Sequence, residues 1–334
     1  MRPVTIVMYH YVRPIAASRY PGIRGLEVEQ FRGQLDYIAR HYTPISIENL
    51  IAAIGEGAEL PPRPILLQFD DGYTDHVDHV APELERRGWL GTFFPIASAA
   101  LDRAILIANK VQFVLAAVDD VEHLIVEMEE AIQDLGNGWD LLPLSEYRKR
   151  HFHETRIDTA PVIYIKRMLQ VGLPEDLRAR VASRLFARHV SSDERDFSDG
   201  LYLSVSQLKR LADAGHNIGC HTDQHPWLGS LAATAQREEI VAGLRVLDAI
   251  GLPRDNFTFC FPYGDFNADS LQVLAELGCA AAFTAEVALA EPSPATRLKL
   301  PRLDTIDLPM VADAPVSRWT QMARDVHSQT AEAR

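Results

Sequence analysis

The chain has 334 residues, 47% of them hydrophobic and 24% charged, values of a globular protein long enough for one large α/β domain or two ordinary ones. Its 46 Asp and Glu against 33 Lys and Arg leave a net charge of −13, which argues against nucleic acid or an anionic membrane surface as the main partner. Its three cysteines, Cys220, Cys260 and Cys279, lie in or beside expected strands, and an odd number of buried thiols is not a disulfide framework.

The chain opens into an apolar strand over residues 5–10, ending at His10. No apolar core of signal-peptide length precedes it, and no run of about 18 apolar residues occurs, so the expectation is a cytoplasmic enzyme without a membrane span. A second apolar run, 65–69, reads as a buried strand that carries two adjacent carboxylates, Asp70 and Asp71, at its C-terminal end. Gly72 and Tyr73 follow; His76 and His79 fall in the first turn of the next helix and read as solvated. A unit of helix, glycine and apolar strand then starts: helix 82–87, Gly88, strand 91–95. A glycine just past a helix takes the left-handed conformation cheaply.

Residues 98–200 interrupt this rhythm. They read mostly as helices, over 121–135, 162–171 and 175–190, the last opened by Pro174 in a favoured first-turn position. The segment is expected to be a helical insertion, either structural (or dimerising) or a lid over a cleft. Its stretch 146–153 is basic and aromatic; a phosphate-bearing or lipid-linked sugar is one reading and a solvated face the more ordinary one.

The unit then recurs three times: helix 205–214, Gly215, strand 217–220; helix 235–250, Gly251, strand 257–261; helix 268–277, Gly278, strand 280–284. Helices alternating with short, continuously apolar strands predict a parallel sheet covered by helices, and chemistry at strand C-termini makes a (β/α) barrel the natural closure. The expected organisation is a barrel over 1–97 and 201–315, the insertion 98–200, and a C-terminal helix or tail over 316–334.

After strand 217–220 come His221 and His225, four apart, the second followed by Pro226. With the Asp pair they supply two imidazoles, one metal-binding carboxylate and one free carboxylate, the inventory of a facial metal site with open positions and an adjacent base. A zinc-protease helix is excluded, since Thr222 stands where its Glu belongs and Pro226 disfavours a continuing helix. An EF-hand is excluded too, since Asp71, Tyr73 and Asp75 do not continue into such a loop.

In combination these motifs resemble the polysaccharide deacetylases (NodB-homology domain, carbohydrate esterase family four). Gln68-Phe69-Asp70-Asp71-Gly72 matches the first family motif with Gln in place of Thr, His221 to Pro226 the second, and the segment ending Pro262-Tyr263-Gly264 the third. The Arg that many members carry two residues before the third motif's Pro is Cys260 here, and after Asp304 the only histidine is His327, so the late motif supplying an acid His is missing. The opening Val7-Met8-Tyr9-His10 resembles the permuted, exopolysaccharide N-deacetylase branch, in which the strand bearing that His comes first, and Pro301-Arg302-Leu303-Asp304 resembles its Arg-x-Asp segment.

The resemblance implies an irregular (β/α)7 barrel and hydrolysis of an N-acetyl or other small N-acyl group from an amino sugar. Asp71, His221 and His225 would hold one divalent ion, Zn²⁺ first, with Co²⁺, Ni²⁺ and Fe²⁺ also suited to two imidazoles and a carboxylate. Metal binding lowers the pKa of water from about 15.7 toward about 7. Asp70 would act as base, the backbone N–H of Tyr263 as oxyanion donor and His10 as acid, with Arg302 pairing with Asp70 and Asp304 orienting His10. A metal-dependent amidase on a non-sugar substrate and a sugar-binding relic are the alternatives; the presence of both a base and a candidate acid argues against the relic. Polymer, lipid-linked and nucleotide-sugar substrates all stay open, as does the oligomeric state.

Overall fold

The computed structural model describes residues 2–155 and 158–332, of which 326–332 by backbone only; residues 333–334 of the expected tail lie outside it. The chain divides into two compact units, Met1–Pro14 with Gly25–Arg103 and Leu201–Arg334, and Ile15–Arg24 with Ala104–Gly200.

The first unit is built on eight strands: β1 (Thr5–Tyr9), β2 (Thr43–Pro44), β3 (Pro64–Asp71), β4 (Thr92–Pro95), β5 (Asn217–Ile218), β6 (Thr258–Cys260), β7 (Ala281–Phe283) and β8 (Leu303–Asp304). Every residue of β3 is buried, as expected of a central strand covered on both faces, and this is why its sequence is continuously apolar and not alternating. β3 pairs in parallel with β1 on one side and β4 on the other, β4 pairs with β5, β6 with β7, and β8 with β1. Two parallel bridges complete the circuit, Cys220 with Phe259 and Phe283 with Leu300. Seven strands therefore close into a ring in the order β1-β3-β4-β5-β6-β7-β8, an irregular (β/α)7 barrel, with the two-residue β2 added at the start of β3.

Local chemistry sets the element ends as the sequence indicates. Gly88, Gly215, Gly251 and Gly278 all have positive φ. Ser46, Ser204 and Asn267 cap helices Ile47–Glu56, Val205–Asp213 and Ala268–Glu276 by accepting from the third backbone N–H. Gly219 sits where a Cβ would lie 2.4 Å from Phe94 and 2.5 Å from Thr258, so the approach of β5 to its neighbours requires glycine. The expected helix 235–250 is in fact two, Ala233–Gly243 and Arg245–Ile250.

The second unit is helical, with Ile107–Ala117, Val121–Leu135, Leu144–His151, Ala160–Arg167 and Glu175–His189; the expected helix 162–171 passes into a π-helical turn, Met168–Gly172. Two residues of its basic stretch are paired: Arg148 donates to Glu129 at 2.8 and 2.9 Å, and Lys149 to Glu146 at 2.7 Å. Among the described residues no helix is long and apolar enough to cross a membrane.

Candidate active site

Parallel closure brings the C-terminal ends of β1, β3 and β5 to one face of the ring. Asp70 and Asp71 end β3, and Tyr9 pairs with Phe69, so His10, the residue that follows β1, falls beside Asp70. His221 follows Cys220, whose bridge to Phe259 joins β5 to β6.

Asp71 is the centre of one cluster. Its Oδ1 lies 3.5 Å from His221 Nε2 and 3.7 Å from His225 Nε2, and one donor atom from each of the three residues lies within 4.8 Å of the others. Its Oδ2 accepts a 2.6 Å hydrogen bond from the Tyr73 hydroxyl. His221 Nδ1 donates to the Cys260 carbonyl at 2.8 Å, so Nε2 is the nitrogen that faces Asp71. Burial lowers the pKa of His221, but Cys260, Asp71 and Asp70 more than reverse that and raise it well above the ordinary value, so an ion taken up at Nε2 would displace a proton. Burial pushes the Asp71 carboxyl up, but its neighbours, the hydrogen bond with His221 first, outweigh it and hold the group well below the ordinary carboxylate range. Burial and the neighbouring His221 push His225 down to about 3, so it is a neutral imidazole, as a metal ligand must be. Among the described residues no Lys or Arg pairs with Asp71, and the buried Nδ1 of His225 has no partner. A carboxylate facing two imidazoles is a donor set that fits a divalent metal ion.

Asp70 is held differently. Arg302, itself buried, places one guanidinium nitrogen 3.0 and 2.9 Å from the two Asp70 oxygens. Arg302 is steadied by its Nε donating to the Thr284 carbonyl at 2.8 Å and by Gln68 Oε1 at 3.3 Å. Burial raises the Asp70 carboxyl, and Arg302, His221 and His10 more than reverse that, so it stays ionised. Cys260, in place of the Arg of the related sequences, donates its thiol to Asp70 Oδ2 at 3.4 Å. Asp70, His221 and Cys260 also lie close enough to be considered as metal donors. Asp70 is already held by Arg302 and by the Cys260 thiol, and burial raises that thiol, so Asp71 with the two histidines is the better ligand set.

The remaining expected residues are placed as follows. His10 Nε2 is 4.0 Å from Asp70 Oδ2, with the His10 side chain 42% exposed. Tyr263 lies in the short turn Pro262–Gly264; its ring packs edge-on against His225 and is stacked on Trp227, both at 4.6 Å between centroids. Asp304 is not brought to His10: its Oδ1 accepts from the Ile306 N–H at 3.2 Å and the Thr305 hydroxyl at 3.0 Å, because it caps the turn that follows β8. His76, expected in solvent, is fully buried, and its Nε2 meets the His10 carbonyl at 3.1 Å. The residue begins a π-helical turn, His76–Val80, which rotates the ring inward, and a period-based reading has no means of foreseeing this. Among the described residues, four of the seven non-glycine residues with positive φ are Asp71, Thr222, His225 and Tyr263, so backbone strain concentrates where the candidate ligands are.

Comparison with known proteins agrees with these motifs. The family model for polysaccharide deacetylase matches residues 185–282, a stretch that contains both histidines and the Pro262-Tyr263-Gly264 motif, while the Asp pair lies outside it. No curated protein matches this chain. Among solved structures, it is similar to the Streptococcus pyogenes deacetylase PplD in complex with acetate (15% identity, 96% of each chain, TM-score 0.55). It is also similar to IcaB from Ammonifex degensii (18%, 98% of each chain, 0.54) and to the BpsB deacetylase domain from Bordetella bronchiseptica (16%, 91% of this chain and 95% of that one, 0.50). At these identities the structural likeness speaks for the fold, and it extends across nearly the whole chain.

Proposed function

We propose that this chain, a polysaccharide deacetylase by motif and fold, is a metal-dependent hydrolase that removes an N-acetyl or other small N-acyl group from an amino sugar, whether in a glycan, a lipid-linked sugar or a nucleotide sugar. The observation that carries the reading is the division of labour between adjacent carboxylates: Asp71 faces the imidazoles of His221 and His225, whereas Asp70 is paired with the buried Arg302. A divalent ion on Asp71, His221 and His225, with Zn²⁺ the first candidate, would supply Lewis acidity toward the acyl oxygen and the attacking water.

The chain's own residues supply the rest. Asp70, ionised and buried, takes the proton of the attacking water; its contact with Arg302 keeps it a carboxylate at neutral pH and fixes its direction. His10, half exposed, gives a proton to the departing amine, and its 4.0 Å distance from Asp70 makes the two a compact acid–base pair. The backbone N–H of Tyr263 is the candidate donor to the oxyanion, a contribution typically of about 2.7–4 kcal/mol. The stacked rings of Tyr263 and Trp227 beside His225 offer the flat apolar surface that a sugar face covers well. The test is acetate and amine release from an N-acetylglucosamine oligomer and from UDP-N-acetylglucosamine by metal-loaded protein. Activity on either that vanishes in Asp70→Asn is expected; no release from any N-acetylhexosamine by protein carrying one equivalent of metal would sink the reading.

A further inference from the structure

His10 lies just beyond the end of β1, where the chain leaves the sheet, and its ring is half exposed. A side chain of that kind samples several rotamers unless its backbone is tied down. Four contacts tie it, and all come from the short segment immediately after the Asp pair. His76 Nε2 meets the His10 carbonyl at 3.1 Å. The Tyr11 ring stacks on Tyr73 with centroids 4.0 Å apart and planes at 19°. Asp75 Oδ2, buried, accepts from the Val12 N–H at 3.1 Å and from Arg13 Nε at 2.7 Å. The same segment is anchored to the candidate metal site, since the Tyr73 hydroxyl donates to Asp71.

We propose that His76 and Asp75 are positioning residues for His10: they clamp the peptide after β1 so that the His10 imidazole is presented to Asp70 and to the leaving amine. The proposal rests on the deacetylase reading for the purpose of the clamp, though the clamp itself is a property of the fold. The chemistry of the partners fits the task. A carbonyl only accepts, so His76 must carry its proton on Nε2, and its buried Nδ1 has no partner. Its ring is enclosed by Phe69, Tyr73 and Phe93, at 5.6 to 5.8 Å between centroids. Burial lowers its pKa, which keeps it a neutral, single-proton donor and not a second titrating acid. A histidine enclosed in aromatic rings would be a poor choice for packing alone, because phenylalanine fills the same space without a polar atom to satisfy.

The enclosure makes a clean substitution available. His76→Phe keeps the ring and removes the donor, and His76→Gln restores an N–H near the position of Nε2. With the metal-loaded, full-length enzyme, His76→Phe is expected to lower kcat on an N-acetyl sugar by about 10–100-fold, the scale of losing alignment by about an ångström. KM should change by less than about threefold, hydrolysis of an activated aryl acetate, whose leaving group needs little protonation, should be nearly unaffected, and His76→Gln should recover most of the loss. On the amide, the double variant His10→Ala/His76→Phe should be no slower than His10→Ala, since the second change acts only through the first. Asp75→Asn, which keeps an acceptor for Val12 and loses the charge on Arg13, should show the same pattern more weakly. Additive losses in the double variant, or equal loss on amide and ester, would overturn the proposal while leaving the deacetylase intact. A crystal structure of His76→Phe decides the matter whatever the substrate. Displacement of the His10 ring from its place 4.0 Å from Asp70 upholds the clamp even if no N-acetyl sugar is cleaved, and an unmoved ring refutes it.

Discussion

Asp70 and Asp71 have the same side chain and are separated by one peptide bond, yet one faces a guanidinium and the other two imidazoles. The difference is made by backbone: Asp71 has a φ of 70°, a conformation that costs a non-glycine residue roughly 1–2 kcal/mol and that turns it out of the strand direction Asp70 still follows. Asp70→Asn is therefore expected to bind a full equivalent of metal and to lose about 10²–10⁴ in turnover, while Asp71→Asn loses the metal. Metal analysis of the two purified proteins checks this, and the reverse outcome would exchange their roles. Removing one partner of the buried pair Asp70–Arg302 leaves a charge uncompensated, so Arg302→Met should cost about 3–5 kcal/mol in urea unfolding, and a cost below about 1 kcal/mol would mean the pair is not buried as described. At this scale the sequence carried the Asp pair, the two histidines, His10 and Arg302, because each stands at a strand end beside a motif. It could not carry the commitment of Asp304 to its own turn, or the inward rotation of His76, because both depend on how a few peptides are wound after the strand ends.

Between elements, tight contact decides what the site tolerates. Helix Ala233–Gly243 ends against the segment carrying His221: a Cβ on Gly243 would lie 2.7 and 2.8 Å from Thr222 backbone atoms and 2.8 Å from Cys220 Sγ. Thr222 is already in the left-handed region, at φ 64°, so it has little freedom to withdraw. Gly243→Ala should destabilise by about 1–3 kcal/mol and weaken metal binding at the same time, measurable by thermal melts and chelator competition. Unchanged metal affinity would show that the helix and the histidine segment are uncoupled. A second contact joins helix Val28–His41 to helix Ala81–Arg86. Glu83, nearly buried, accepts from Arg32 at 2.7 Å, from Arg86 at 2.8 Å and from Arg87 at 2.5 Å. Burial raises its carboxyl, and the three guanidinium groups more than reverse this, holding it at about 2 against an ordinary 4.5. A depressed folded value means that the stabilisation is fully present above the unfolded pKa and disappears as pH falls from about 4.5 toward about 2. Urea midpoints measured from pH 5 to pH 3 should therefore fall more steeply for the native chain than for Glu83→Gln, and parallel slopes would remove Glu83 from the acid response. The helix–glycine–strand rhythm marked the later elements well. It passed over helix Val28–His41, which runs through Tyr42 into β2 with no glycine to announce its end.

The ring as a whole explains why residues so far apart in sequence meet. Its first and last strands are neighbours, so His10 after β1 and Arg302 before β8 both reach Asp70, and the in-register pairing of Tyr9 with Phe69 sets His10 beside it. Parallel strands opening on one face were legible from the alternation of helices and apolar runs; register was not, because continuously apolar strands carry no alternation to fix it. The candidate ligands come from β3 and from the segment after β5, on either side of β4, so an ion held between them would tie three neighbouring strands together. An ion that binds the folded chain and not the unfolded one stabilises by about 2.7 kcal/mol at a hundredfold excess over its dissociation constant. Zinc, cobalt or nickel added to metal-stripped protein should accordingly raise the melting temperature by several degrees, and a chelator should reverse it. The Asp71→Ala protein should show no such rise, because two imidazoles alone leave the set incomplete. If that variant were stabilised as much as the native chain, the ion would be acting elsewhere, and the link between this cluster and the closure of the barrel would be lost.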